Sequence, residues 1–295
     1  MVIIASREGQ LANRLFHASN FIANAKENKY HIKHLFFDDY YSFFSESLSQ
    51  DRALINFFAK KKSSFSFVLQ SAITFFVKAL LKLKIKKLPF IEIVDHIGYS
   101  QDQAPFDLNN EKFIRKARSK IVLVYGWLFT DIVNRNKHKQ YLVSTWQPNK
   151  VHQENIKNYI RHYKKGHDIL IGVHIRGGDY KKFEGGKWFY TPEQYYQKIK
   201  ELSRLAMFDG KKIAYVICTN EINISFPEDA DFTIFNEERH FVEDLYLLSK
   251  CDYIIGPPST FSGWASFYGE VPLLMLDDIS IKIDGEFLQK NAVVK

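Results

Sequence analysis

The chain has 295 residues, which is long enough for two domains of ordinary size, each with its own core. Its composition, 46% hydrophobic and 25% charged, is that of a globular protein and excludes disorder over most of the length. The formal net charge of +8 favours an anionic partner, and charge alone leaves open whether this is a nucleotide, a nucleic acid or an acidic lipid surface.

The first predicted elements are a strand, a loop and a helix. Residues 2–5 are a short apolar run, and apolar residues then recur at helical spacing over residues 11–22. Free backbone N–H groups at a helix N-terminus favour anions, so the loop 8–14 could contact a phosphate or a sugar, with Asn13 and Arg14 as donors. An ordinary β–α turn is the alternative.

The next predicted strand, residues 34–37, ends in an acidic pair, Asp38 and Asp39. An acidic turn is the simpler interpretation of the pair, and a metal site is the alternative.

Residues 60–88 form an unusual basic and apolar segment. Thirteen of the nineteen residues from 65 to 83 are apolar, while polar residues recur every four positions from Gln70 to Lys82, and lysines flank both ends. Lys78 lies near the middle, which disfavours a helix that spans a bilayer. Two interpretations remain: a helix in the interface of an anionic membrane, or a helix packed in the N-terminal domain with a solvated basic edge.

Residues 121–125 are a predicted strand, and the turn at 146–149 places a domain boundary between residues 148 and 149. Beyond it, strands and helices alternate, which indicates a mostly parallel sheet with helices on both faces. The predicted strands are 169–175, 214–218, 253–255 and 273–276, and the predicted helices include 195–205, 241–248 and one after residue 259.

Polar residues follow three strands of the second half. His174 and Arg176 end the first strand, Asn220 follows the second, and the small hydroxyl residues 259–262 follow the third. In a parallel sheet these ends lie on the same side, so a guanidinium and a capped helix N-terminus could converge on one anion. Because arginine and helix N–H groups both suit phosphate oxygens, this pattern predicts phosphate binding at Arg176.

The roles of the neighbouring residues are less determined. His174 could act as a base or contact a nucleotide, and a buried histidine bonded to backbone is the alternative. Asp179 most simply holds Arg176 or caps the turn. Asp229 and Asp231 have the Asp-x-Asp form of a metal site, but their position before an apolar run indicates a surface loop, so we expect no metal. Neither GxxxxGK[ST] nor GxGxxG occurs here, which argues against a P-loop or dinucleotide-binding enzyme.

Four segments carry a family resemblance. GVHIRGGDY resembles the HxRRxDY motif of the superfamily that joins α-1,2-, α-1,6- and protein O-fucosyltransferases, and EDLYLLSKCDYIIGPPSTFSGWASFYG resembles its C-terminal block, most closely that of the α-1,2 branch, glycosyltransferase family 11. GQLANRLFHASNFIANA and STWQPNK are similar to its N-terminal and interdomain motifs. Three positions depart from the pattern: Gly177 replaces a second arginine, Asn220-Glu221 replaces Asp-Asp, and Gly263-Trp264 replaces Trp-Trp.

The resemblance implies a glycosyltransferase B fold, with two Rossmann-like domains facing a cleft. Residues 149–295 would bind GDP-fucose, and residues 1–148 would supply most of the acceptor surface. The chemistry implied is inverting and metal-independent, with no cofactor beyond the GDP-fucose donor. Arg176 would hold the diphosphate, and the positions of His174 and Asp244 are those that help to hold the nucleotide. The donor would also contact Ser259, Thr260 and Ser262.

The leading hypothesis is therefore a GDP-fucose-dependent fucosyltransferase, forming an α-1,2 linkage on a surface polysaccharide or a lipid-linked oligosaccharide. The alternatives are an enzyme of the same fold with another nucleotide-sugar donor, or a non-catalytic basic module that binds membrane or nucleic acid. Two cysteines are too few for a disulfide framework, and no signal-peptide pattern opens the sequence. We expect a cytoplasmic protein. The interfacial interpretation of residues 60–88 would add peripheral contact with an anionic membrane at the inner face of the plasma membrane.

Overall fold

Two units make up the chain, Met1–Asn149 and Lys150–Lys295. The computed structural model describes residues 1–7, 9–48, 54–57, 60–61, 63–97, 103–221, 224–229 and 231–294. The boundary predicted from the sequence, between residues 148 and 149, falls one residue before the boundary between the units. Each unit contains its own parallel sheet.

The first unit is built on a five-stranded parallel sheet of order β3-β2-β1-β6-β4. Its strands are β1 (Val2–Ile4), β2 (Ile32–His34), β3 (Ile55–Phe57), β4 (Ile91–Asp95) and β6 (Ile121–Tyr125), and β5 (Phe106–Asp107) pairs separately with β7 (Phe129–Thr130). Its helices are α1 (Leu11–Asn28), α2 (Ser45–Leu48), α3 (Ser64–Lys82), α4 (Glu111–Ser119), α5 (Ile132–Lys137) and α6 (Lys139–Thr145). The strands β3 and β4 were not predicted, because polar residues interrupt their short apolar runs: Asn56 is the middle residue of β3, and β4 contains Glu92 and Asp95.

The predicted strand 34–37 was placed too late. β2 ends at His34, and Leu35, Phe36 and Phe37 are buried in the bend that follows. The His34 ring accepts a hydrogen bond from the Phe36 backbone N–H, and the Phe37 carbonyl accepts from the turn after it. Apolar side chains can thus be buried in an irregular segment as well as in a strand. The apolar run alone therefore predicted the wrong bounds for this strand.

Helix α3 lies on the sheet of the first unit. It begins with a capping box, in which the Ser63 hydroxyl accepts from the Ser66 N–H and Ser66 accepts from the Ser63 N–H. One side of the helix packs against the sheet through Val77, which joins a cluster containing Leu35 and Ile93. Most of its remaining side chains are exposed.

The second unit is built on a six-stranded sheet of order β10-β9-β8-β11-β12-β13, parallel except for the last strand. Its strands are β8 (Ile169–Ile175), β9 (Ile213–Thr219), β10 (Phe232–Phe235), β11 (Tyr253–Gly256), β12 (Leu273–Met275) and β13 (Ala292–Val293). Its helices are α7 (Lys150–Tyr163), α8 (Pro192–Ser203), α9 (Phe241–Leu248), α10 (Thr260–Gly269) and α11 (Gly285–Asn291). The sequence predicted β8, β9, β11, β12, α8 and α9 within three residues at each end, but not α11 or β13.

The central strand of this sheet is β8. It pairs with β9 along all seven of its residues and with β11 on its other edge. From β8, the next strands along the chain, β9 and β10, are added on one side of the sheet, and β11 and β12 are added on the other side. The strand order therefore reverses between β8 and β11. Ligands bind outside the carboxyl ends of the strands at such a switch point. The fold therefore places a candidate site where β8 and β11 end.

Candidate active site

The carboxyl ends of three neighbouring strands meet at this point. Ile175 and Thr219 are register partners at the ends of β8 and β9, and β11 ends beside them at Gly256. Gly256 lies so close to β8 that a Cβ there would be 2.9 Å from the carbonyl oxygen of His174. The predicted polar residues of the three strand ends are thus brought together by the sheet itself.

Arg176 extends from the end of β8 and is held by two neighbours. Its Nε donates to Asp179 Oδ1 at 3.1 Å and its Nη2 to Asp179 Oδ2 at 3.0 Å, the bidentate geometry that guanidinium also uses with phosphate. The guanidinium lies over the Tyr180 ring, 5.3 Å from its centroid, and the Tyr180 hydroxyl donates to the Pro258 carbonyl at 2.6 Å. Arg176 is therefore fixed in direction by a carboxylate that is itself 56% exposed.

His174 is buried beside Arg176. Its ring stacks on Phe261 with the centroids 5.0 Å apart, and its Nδ1 has no hydrogen-bond partner in the part of the chain that the structure describes. Burial, followed by the nearby charge of Arg176, lowers the pKa of His174 to about 3. The imidazole is therefore neutral at pH 7, which suits a hydrogen bond to a ligand, and its low pKa makes it a weak general base.

The loop that follows β8 is tied to the end of β9. The Gly177 N–H donates to Asn220 Oδ1 at 3.0 Å, and the Gly178 N–H donates to Glu221 Oε1 at 2.6 Å. Asn220, predicted to bind substrate, thus supports the loop. Glu221 was not predicted as a site residue.

The three hydroxyl residues after β11 have different roles. The Ser259 hydroxyl caps α10 by accepting from the Phe261 N–H at 3.2 Å, and the buried Ser262 hydroxyl donates back to the Ser259 carbonyl at 3.3 Å. Thr260 is exposed at the first position of α10. The helix N-terminus therefore presents its amide groups and the Thr260 hydroxyl beside the switch point, which suits an anion.

Asp244 forms a buried ion pair that the sequence did not reveal. Its Oδ1 accepts from Arg239 Nε at 2.8 Å, and Arg239 also donates to Tyr163 and to the Ile217 carbonyl. Burial raises the pKa of Asp244 to about 6, against the opposing effect of Arg239. One signal in the sequence could have revealed the pair: Asp244 lies in a mostly apolar helix, and a carboxylate buried there needs a positively charged partner. The neighbouring Glu243 was also missed and is bound by His152 and Asn155.

Asn13 and Arg14 lie in the first unit. Arg14 is buried, donates to the Gly9 and Phe36 carbonyls, and pairs with Asp39 at 2.6 Å. Asn13 lies against Gly9, where a Cβ would be 2.3 Å from the Asn13 amide nitrogen and where φ is +62°. Glu8, the first residue of the predicted loop, lies outside the described residues.

The structure gives no support to the metal alternatives. Asp38 and Asp39 are neutralised by Arg7 and Arg14, so the acidic pair forms ion pairs. Asp229 accepts from the Tyr196 hydroxyl and the Asp231 N–H, while Ala230 between the two aspartates is not among the described residues. Over the residues that the structure describes, no three His, Cys, Asp or Glu side chains are grouped as metal ligands.

Several solved structures with a similar fold are fucosyltransferases. A mutant of Arabidopsis thaliana FUT1 in complex with GDP matches with a TM-score of 0.60 at 13% identity, over 93% of this chain and 70% of that one. Fucosyltransferase NodZ from Bradyrhizobium matches with a TM-score of 0.53 at 14% identity, over 94% and 95% of the two chains. NodZ α-1,6-fucosyltransferase soaked with GDP-fucose matches with a TM-score of 0.52 at 15% identity, over 93% and 94%.

No family model matches the sequence, and a search of curated proteins finds no significant relative. The structural matches cover nearly the whole chain, and their low identity limits them to the fold. The chain has the mixed α/β fold, with parallel sheets, of glycosyltransferase-B-like fucosyltransferases.

Proposed function

We propose that the protein is a glycosyltransferase that moves fucose from GDP-fucose to a hydroxyl group of a glycan. The observation that supports this most directly is the arrangement of Arg176, the His174 ring and the α10 N-terminus at the β8–β11 switch point. Structures of the same fold were obtained with GDP and with GDP-fucose. A nucleoside diphosphate is an anion of the size and charge that such a site suits.

In the proposed reaction the acceptor hydroxyl attacks the anomeric carbon of fucose as the bond to the GDP oxygen breaks. The electron pair of that bond leaves with GDP, and the acceptor proton passes to a base or to solvent. The configuration inverts, and no metal or cofactor takes part. Arg176 stabilises the negative charge that develops on the departing diphosphate. Neutral His174 contributes through its unpartnered Nδ1, which we assign to a contact with the nucleotide.

Asp179 positions the guanidinium before the donor arrives. It occupies two of the guanidinium nitrogens, Nε and Nη2. Because Asp179 is more than half exposed, a bound diphosphate can compete for these donors at little cost in free energy. Thr260 and the amides of α10 add further donors to the same anion, whereas Asp244 acts through its ion pair with Arg239.

The finer part of the proposal is an α-1,2 linkage on a surface polysaccharide or lipid-linked oligosaccharide, made in the cytoplasm at the inner face of the plasma membrane. Gly177 stands in place of the second arginine of the motif. This departure makes a different nucleotide-sugar donor the first alternative to test. The thermal midpoint measured with GDP, GDP-fucose, GDP-mannose and UDP-sugars would separate the donors, because a ligand that binds the folded state raises the midpoint.

The test of transfer is the release of GDP from GDP-fucose with and without a panel of glycan acceptors. The proposal expects acceptor-dependent release that continues in EDTA and falls about a hundredfold in Arg176→Ala, the effect of losing about 3 kcal/mol of charge stabilisation. Unchanged turnover in folded Arg176→Ala would refute the assignment. Steep salt-sensitive binding of oligonucleotides without GDP binding would favour the non-catalytic alternative instead.

A further inference from the structure

Helix α3 has an apolar face that the protein does not cover. We define this outward face as Phe65, Val68, Ala72, Phe75 and Phe76 of the helix, with Leu83 just after it, which lie on one side at helical spacing. Phe65, Val68 and Phe75 are 73%, 65% and 76% exposed, whereas the opposite side of the helix holds the buried residues Gln70 and Val77. A solvent-exposed row of phenylalanines marks an interaction surface.

The helix is fixed flat on the first unit. Gln70 donates through Nε2 to the Leu35 carbonyl at 2.7 Å and to Asp38 at 3.1 Å, and its Oε1 accepts from Arg7 at 3.1 Å. By length and composition α3 could cross a membrane, but a spanning helix would have to leave these partners. Lys78 would also lie in the hydrocarbon. The contacts therefore favour a helix that keeps its inward side on the protein.

The outward face lies in the most basic part of the chain. Residues 52–91 contain nine lysines and arginines and no acidic residue, while the rest of the chain has 32 basic and 33 acidic residues. The whole net charge of the protein is thus concentrated around α3. Lys78 and Lys82 are exposed one turn apart on the helix, and Lys84 and Lys87 follow it. Lys86 is partly neutralised by Asp95, at 2.6 Å.

We propose that the outward face of α3 docks in the plane of an anionic lipid bilayer. The phenylalanines enter the boundary between headgroups and acyl chains, and the lysines contact anionic headgroups. A second copy of the chain is a poor occupant, because two-fold pairing would bring two segments of the same high positive charge together. A nucleic acid would satisfy the lysines but leave the phenylalanines in water.

The docked helix would also position the first unit. Gln70 connects α3 to Arg7 and Asp38, which lie just after β1 and β2. The carboxyl ends of these strands would then be held near the bilayer surface, where a lipid-linked molecule is accessible. This surface is inferred from exposure and charge alone and does not depend on sugar transfer.

The test is co-sedimentation of the full chain with vesicles of phosphatidylcholine, with and without phosphatidylglycerol, at low and high salt. We expect retention on the anionic vesicles at low salt only. The double variant Phe65→Ser/Phe75→Ser should weaken binding at least tenfold, and Lys78→Gln/Lys82→Gln several-fold. The changed side chains are mostly exposed, and thermal unfolding of each variant checks that it folds.

Val68→Ser and Val151→Ser form a matched pair, since the two valines are 65% and 68% exposed and only Val68 belongs to the outward face. Binding should fall in the first variant and not in the second. The proposal would be overturned by a wild-type chain that stays in solution at low salt, or by equal effects of the two substitutions. A dimer that Val68→Ser dissociates, without vesicle binding, would identify a second copy as the occupant and also overturn it. If the chain binds vesicles but GDP does not raise its thermal midpoint and GDP-fucose is not turned over, only the enzymatic proposal is rejected.

Discussion

The Glu221 carboxylate fills the space that a side chain at Gly177 would need. A Cβ built on Gly177 would lie 1.7 Å from Glu221 Oε1, the same atom that accepts from the Gly178 N–H. Two departures from the family motif, the glycine in place of a second arginine and the Asn220-Glu221 pair, are therefore linked in space.

This relationship predicts a non-additive pair of substitutions. Gly177→Ala should displace Glu221, break its bond to Gly178 and lower the free energy of unfolding by about 1 kcal/mol. In the Glu221→Ala background the same change should cost much less, because no side chain remains to be displaced. Urea unfolding of the two single variants and the double variant gives the coupling energy. Strict additivity would contradict the predicted clash.

Arg176 and Asp179 should have unequal effects on turnover. In the proposed reaction Arg176 stabilises the leaving diphosphate, so Arg176→Ala should reduce kcat/KM about a hundredfold. Asp179→Asn leaves the guanidinium in place and only loosens its direction, so we expect a loss of several-fold. GDP release and GDP affinity measured on both variants check the order. A larger loss in Asp179→Asn would give that carboxylate a direct part in the chemistry.

The Asp244–Arg239 pair should control stability more than nucleotide affinity. Arg239→Ala leaves a buried carboxylate without its partner and should cost about 3 to 5 kcal/mol of unfolding free energy. Asp244→Asn keeps a hydrogen-bond acceptor of similar shape and should cost less. GDP affinity per folded molecule should change little in Asp244→Asn, as titration calorimetry at low temperature would measure. A selective loss of GDP binding with full stability would instead support the guanine contact implied by the family resemblance.

Buried histidines should make the protein sensitive to acid. Burial lowers the pKa of His17 to about 4 and that of His174 to about 3, with an opposing bond to Gly126 in the first case and support from Arg176 in the second. The unfolded chain binds these protons near pH 6.5 and the folded chain does not, so stability is full above pH 6.5 and falls progressively below it. At pH 5 each histidine should cost about 2 kcal/mol.

The measurement is the difference in unfolding free energy between pH 7.5 and pH 5. His17→Gln and His174→Gln should each reduce that difference, whatever they cost at pH 7.5. If neither substitution alters the difference, the acid sensitivity arises elsewhere.

The sequence was most informative where apolar runs were long. The seven-residue strands β8 and β9 and the helix α9 were predicted from their patterns, and the polar ends of β8, β9 and β11 followed from them. In the first unit the apolar strands β1 and β6 were predicted, whereas β3 and β4, which contain polar residues, were not. Glu221 and the bonds of Gln70 could not be predicted either, because their partners are distant in sequence and become neighbours only in the folded chain. Arg239 lies only five residues from Asp244, but its burial is visible only in the structure.

The placement of β8 has a consequence for hydrogen exchange. A strand that is paired along both edges exposes its amides only when the sheet opens, so the β8 amides should be among the slowest to exchange in the second unit. The 3-10 turn Gly178–Lys181, which carries Asp179, is largely exposed and should exchange early. Arg176 thus lies between a protected strand and an exposed turn, and in the proposed reaction its guanidinium would change from Asp179 to a diphosphate while β8 stays in place.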